Sequence, residues 1–189
     1  MSGAEAPARL GAAGEPPRSP VVVRETERLV LRHMARTDAD FILGLLNEPS
    51  FLRFVGDRGV RTVEDAESYI SNGPIASYAR FGFGLFLCAL RSDDRPIGMC
   101  GLLKRDSLPD VDIGFALRPA FWTQGYAAEA ATAVLALARE TFGLARVVAI
   151  TNPDNQASNS LLRRLGFQLE DRITMPGETR ELNYFGLQL

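Results

Sequence analysis

Apolar and polar positions along the chain follow two periods in turn, and each switch between them marks an element. Residues 1–20 hold Ala, Gly, Pro and Glu with almost no large apolar side chain. Such a segment buries too little surface to offset its ordering entropy. A flexible tail over 1–22 and a single domain over 23–189 are expected. Arg28 to Met34 carries β-branched and alternating apolar residues and reads as a first strand. Thr37 or Asp38 caps a helix through Asp40 to Leu46, which Asn47-Glu48-Pro49 stops. A short turn then passes Phe51, Phe54 and Val55. Thr62 and Asp65 make a capping box for a helix that runs to about Tyr78.

Phe83 to Leu90 is a nearly continuous apolar run, the pattern of a central strand. Pro96 to Leu103 and Val111 to Leu117 follow after short turns, so these three strands form antiparallel hairpins. A helix from about Gln124 to Thr141 leads to a strand at Ala145 to Ile150, parallel to the strand before the helix. Ala157 to Leu165 is helical and ends at Gly166. Phe167 to Ile173 and Arg180 to Leu189 are the last strands. The order predicts an α+β fold: a single mixed, mostly antiparallel sheet flanked by helices.

One junction carries candidate chemistry. Trp122 to Ala130 reads WTQGYAAEA, with a glycine and small residues where strand hands over to helix. Free N–H groups at a helix start bind phosphates. No GxGxxG follows an early strand and no GxxxxGK[ST] occurs, so neither common nucleotide cradle is present. The turn has no lysine for a terminal phosphate, which suits a diphosphate that is held but not broken. A bland alternative is that Gly125 only lets the helix pack closely on the sheet.

Composition narrows the function classes. With 46% hydrophobic and 23% charged residues, 189 residues make one domain with a real core. A net charge of -2 provides no basic field for a nucleic-acid partner. Cys88 and Cys100 lie in apolar runs without CxxC spacing and read as buried thiols. His33 is the lone histidine, which argues against a histidine metal site or a Ser-His-Asp triad, so no metal is expected. No apolar run approaches the ~20 residues that cross a bilayer, and the first residues lack the features of a secretory signal. A cytoplasmic protein without a membrane partner is expected, as monomer or homodimer.

A second motif sits downstream. Asn155 and Ser158 open a helix that ends Leu161-Leu162, then Leu165-Gly166-Phe167. With the Trp122, Gly125 and Ala127 loop, it resembles the GNAT acyltransferases, and among them the ribosomal-protein alanine N-acetyltransferase type. The likeness covers about Glu25 to Leu189. Thr123 stands where that type has a glycine after the tryptophan. The resemblance implies acetyl-CoA as co-substrate and an amine acceptor of unknown identity. It places the diphosphate on the amides of Trp122, Thr123, Gln124, Gly125, Tyr126, Ala127 and Ala128. It lays the pantetheine arm along the Ala116, Leu117 and Arg118 edge, with Asn155 and Ser158 beside it.

Two catalytic groups are then expected. Ser158 protonates the departing thiolate, and Asp112 removes the acceptor's proton directly or through water. Each has a structural alternative: Ser158 as a packed first-turn residue, Asp112 as an acid on a solvated face, Asn155 as a plain N-cap. Glu178 is a weaker second acid, because its loop does not match the ribosomal-protein type in register. Glu129 suits the positive helix end and orients a loop. Phe51, Phe54, Phe81, Phe83 and Tyr126 either line the acceptor tunnel or belong to the core. Arg118 or Arg163 would serve a larger acidic acyl group only if turned inward. The rival readings are a non-catalytic acyl-CoA-binding module and a transferase for another acyl-CoA.

Overall fold

The computed structural model describes residues 21–189, so almost all of the expected tail lies outside the described residues. Eight strands form one sheet in the order β1-β2-β3-β4-β5-β6-β8-β7. They are Val22–Glu25, Leu29–Arg32, Leu85–Leu90, Pro96–Leu103, Asp112–Leu117, Arg146–Thr151, Gln168–Thr174 and Glu181–Gln188, numbered β1 to β8. Every pairing is antiparallel except β5 with β6. The expected α+β class and the mixed sheet hold, with β3 buried along its whole length. β1 is an addition. Its four residues are too few and too exposed to show a period.

Helices cover both faces. On one side lie α1 (Ala39–Leu46), α2 (Pro49–Phe54), α3 (Val63–Ile70) and α4 (Ala76–Phe81). Of these, α1, α2 and α3 pack on Leu85, Leu87 and Met99, whereas Tyr78 and Phe81 of α4 pack against the other core. On the other side, α5 (Tyr126–Glu140) and α6 (Gln156–Arg164) share a larger core with Phe86, Cys88, Cys100, Ile113, Val147 and Phe185. Four of the six buried residues of α5 are alanines, Ala130, Ala131, Ala133 and Ala138, beside Val134 and Leu137, and their small size lets the helix lie close to the strands. Cys88 and Cys100 are free buried thiols, as expected. His33 stacks on Tyr78 with ring centroids 3.9 Å apart.

Three local differences have clear causes. The Phe51–Val55 turn is helix α2, because Pro49 fixes its first residue as well as stopping the helix before it. The helix expected through Tyr78 is broken by a π-helical turn, Ser71–Ile75, around Pro74. Asp38 precedes α1 but does not cap it. Its carboxylate takes two hydrogen bonds from Arg32, at 2.9 and 2.8 Å, and one from the Ala35 amide. The Thr62–Asp65 box forms as expected, in both directions.

Candidate active site

β5 and β6 share one bridge, Asp112 opposite Val148, with the Val148 amide donating to the Val111 carbonyl at 2.9 Å. Beyond it the two parallel strands diverge and leave backbone without a ladder partner. The Arg118 amide donates to Ile97 of β4 at 2.9 Å. By alternation Ala116 turns its backbone the same way, while Phe115 and Leu117 turn theirs to the gap. Of the three residues expected to pair with the pantetheine arm, only Leu117 therefore faces it. Its carbonyl already accepts from the Trp122 indole at 2.8 Å, which pins the exposed tryptophan across the strand end.

The turn after β5 aims helix α5 at the same gap. Gly125 caps α5 at φ 86°, the left-handed conformation, which a Cβ disfavours. Thr123 also lies there, at φ 60°, with its hydroxyl donating to the Trp122 carbonyl at 2.7 Å. This is the position where the sequence resemblance leads one to expect a glycine. The Glu129 amide bonds to Gly125 at 3.0 Å. The Tyr126, Ala127 and Ala128 amides precede the first carbonyl able to accept them, and no side chain caps them.

Arg28 stands over this turn, and nothing in the sequence pointed to it. Its guanidinium lies 4.4 Å from the Tyr126 ring centroid and donates to the Gln124 carbonyl at 2.9 Å. It also pairs with Glu129 at 2.7 Å. Glu129 further accepts from the Thr26 hydroxyl and the Arg28 amide, at 2.6 and 2.9 Å. Burial pushes the Glu129 carboxyl up, but these donors outweigh it and hold the carboxyl below its ordinary value. A depressed carboxyl stabilises the fold above its unfolded pKa and loses that effect as pH falls through the folded pKa. Glu129→Gln should therefore cost about 1–2 kcal/mol at neutral pH, with the gap to wild type closing in acid. Urea denaturation at several pH values checks this.

The second motif meets the gap from β6. Asn155 caps α6, its side chain accepting from the Ser158 amide at 3.1 Å. Among the described residues the Ser158 hydroxyl has no hydrogen-bond partner. Asn159, one residue on, is the anchor that the sequence reading missed. Its carbonyl oxygen accepts from Thr151 at 2.5 Å and from Asn183 at 3.2 Å. Its amide nitrogen donates to the Asn152 and Pro153 carbonyls, at 3.3 and 3.0 Å. The available signal was an asparagine one turn before Leu162, on the apolar face of α6.

A cavity of about 400 Å³ opens on β5 from the α1–α4 side, with Gly114, Phe115 and Ala116 in its wall. Gly114 pairs with Gly101 across β4. A Cβ on Gly114 would stand 2.8 Å from Leu103, another wall residue, so the glycine keeps this floor open. Phe51 and Phe81 line the cavity, whereas Phe54, Phe83 and Tyr126 do not. Glu178 is exposed on the β7–β8 loop and is not part of the wall. Arg180 of that loop reaches the Arg53 carbonyl of α2, at 3.2 Å.

Asp112 shares a face with Gly114 and Ala116, so its side chain points to the cavity side of the sheet. It is only 1% exposed and does not itself line the cavity. Arg105, which does, donates to it at 2.9 Å. Burial raises the Asp112 carboxyl above its ordinary value, against the pull of Arg105. Arg118 turns away from the strand end, its guanidinium 4.6 Å from the Phe41 ring centroid. Arg163 lies over Phe185. Neither supplies a cation to the cavity wall. Among the described residues no group of three or more His, Cys, Asp or Glu is placed to hold a metal ion, and no helix is long and apolar enough to cross a membrane.

Comparison with known proteins agrees with this arrangement. Residues 28–168 match the family described as acetyltransferase (GNAT) domain. The uncharacterized N-acetyltransferase YoaA of Bacillus subtilis is 30% identical over 152 residues, 78% of this chain and 84% of that protein. A crystal structure of an acetyltransferase from Agrobacterium tumefaciens is 27% identical, with a TM-score of 0.75 over 90% of this chain and 96% of that one. RimL, a ribosomal L7/L12 α-N-protein acetyltransferase solved with coenzyme A, shares the fold at 20% identity. Its TM-score is 0.76 over 89% of this chain and 98% of its own. A family match across most of the chain and a relative at this identity agree with the splayed sheet: the chain belongs to the GNAT N-acetyltransferase family.

Proposed function

We infer that the protein moves an acetyl group from acetyl-CoA to a primary amine by direct attack in a ternary complex. The supporting observation is the meeting of three features at one place: an uncapped helix start, an unpaired strand edge and a cavity wall on the same strand. When bound, acetyl-CoA supplies a thioester carbonyl activated toward an amine. The Gln124 to Ala128 amides hold the diphosphate, with the positive end of α5 behind them. Arg28 stands at the rim of the turn, its guanidinium shared with Glu129. Phe115 and Leu117 offer the strand edge to the amides of the pantetheine arm, and Asn155 closes the other side.

The chain's own groups move the protons. In the transfer a nitrogen–carbon bond forms, the carbon–sulfur bond breaks, and the thiolate leaves with a proton. Ser158, with its hydroxyl unpartnered, donates to that sulfur. Asp112 accepts the amine's proton through water, since Arg105 and Leu103 stand between it and the cavity. The ordinary thiol pKa is low enough that the sulfur needs little help. Ser158→Ala should thus lower kcat about tenfold with the acetyl-CoA Kd nearly unchanged, because the sulfur charge appears only during reaction.

Release of free CoA from acetyl-CoA in the presence of a panel of amines tests the reading. Amine-dependent release is expected. Tight acetyl-CoA binding without release from any amine would leave the protein a binding module.

A further inference from the structure

We propose that the acceptor is a small amine that carries a carboxylate on an apolar body, an amino acid with an apolar side chain being the simplest form. This rests on the acetyl-transfer reading of the cavity and adds the acceptor's class to it. The chain is acidic, with 23 carboxylates against 21 cations. Yet Arg58, Arg80, Lys104 and Arg105 all line the cavity and no carboxylate does. Asp112 offsets only Arg105. Lys104 donates to the Pro109 carbonyl at 3.1 Å, a neutral acceptor. Among the described residues neither Arg58 nor Arg80 has an acidic partner. A low-dielectric pocket rimmed by one sign of charge concentrates the opposite sign.

Asn72 and Ser77 are the neutral polar residues of the wall, and most of the remainder is apolar or aromatic, with Phe51, Val55, Tyr69, Leu85, Met99 and Phe115 its larger side chains. Tyr69 places a phenol among them. Its hydroxyl has no hydrogen-bond partner among the described residues and Arg58 and Arg105 stand in the same wall, their charges pulling its pKa back against the rise that burial causes. A carboxylate there accepts charge-assisted hydrogen bonds from Arg58 and from the Tyr69 hydroxyl. The volume of about 400 Å³ suits a ligand of amino-acid size. The same cations disfavour an incoming ammonium and promote loss of its proton. That assists a site whose carboxylate base is set back behind Arg105. A polyamine, cationic throughout, finds no partner in the wall.

Matched acceptors test this. L-Phenylalanine, phenethylamine, spermidine and a short peptide with an acidic second residue are compared by CoA release, and L-phenylalanine binding is followed by thermal shift. Phenylalanine should exceed phenethylamine in kcat/KM by about tenfold or more. Arg58→Glu with Arg80→Glu should erase that ratio and leave the acetyl-CoA Kd unchanged. Both residues are exposed, so the fold tolerates the exchange, and Arg58→Lys should retain part of the preference. Equal rates for the matched pair, or a preference for spermidine, overturn the proposal while acetyl transfer stands. A peptide accepted where the free amino acid is refused overturns the amino-acid size. Should no amine be acetylated, a thermal shift by phenylalanine that the double variant loses would sustain the pocket's ligand class while the acetyl-transfer reading fails.

Discussion

Gly125→Pro should abolish acetyl-CoA binding, at least a hundredfold loss in affinity by titration calorimetry. The residue sits at φ 86°, and proline fixes φ near −65° while removing an N–H. The turn then cannot bring the Tyr126, Ala127 and Ala128 amides to one point. Gly125→Ala is the graded control. Its Cβ would stand 3.2 Å from an Arg28 nitrogen, and the left-handed backbone costs about 1–2 kcal/mol with a Cβ. An intermediate affinity is expected, with the circular dichroism spectrum unchanged. Wild-type affinity in the proline variant would move the diphosphate to another part of the chain.

Asp112→Asn should lower turnover by about 10²- to 10⁴-fold at neutral pH, the range for loss of a general base. The carboxyl must be ionised to accept a proton, so the wild-type rate rises with pH through its folded pKa. Burial raises that pKa, and the rising limb should lie above the ordinary carboxylate range. In the asparagine variant the limb should disappear. Stability gives an independent readout. A carboxyl whose pKa is raised binds its proton more tightly in the folded than in the unfolded chain, so the wild type loses stability as pH rises from the unfolded pKa through the folded one. Asparagine has no such loss. A pH–rate limb identical in both proteins would remove Asp112 from proton transfer. The remaining routes would be Glu178, a water held by backbone, or an amine that arrives neutral.

The parts of the site carried by local chemistry were legible in the sequence. The Gly125 turn, the Asn155 cap and the Thr62–Asp65 box each depend on residues within one helical turn. The helix start after β5 could be placed for the same reason. The parts made by distant segments were not. Nothing around Arg28 ties it to Gln124 and Glu129 across about a hundred positions, because that contact follows from β2 lying under α5. The pairing of Arg105 with Asp112 comes from the loop joining β4 to β5. It turns an acid read as exposed or catalytic into a buried one. The place of β8 between β6 and β7 was likewise invisible, since two neighbouring strands joined by a loop read the same in either order. Pro49 and Pro74 misled in opposite ways, one starting a helix where a turn was read, the other widening a helix read as regular.

The single bridge between β5 and β6 makes the sheet two half-sheets that meet at one residue pair. On the α5 side side chains from both halves share a core, so the seam is closed there. On the α1–α4 side the core draws its strand residues from β3–β5 alone, with none from β6–β8. The seam therefore behaves as a hinge fastened on one side. A ligand arm lying in the gap, as proposed, would act as a ninth strand and fasten the other side. Cofactor occupancy and the rigidity of the whole sheet then become two readings of one equilibrium. On the proposed reading the free protein would breathe where the loaded one is locked, and the acceptor cavity would take its final shape only after the thioester had arrived.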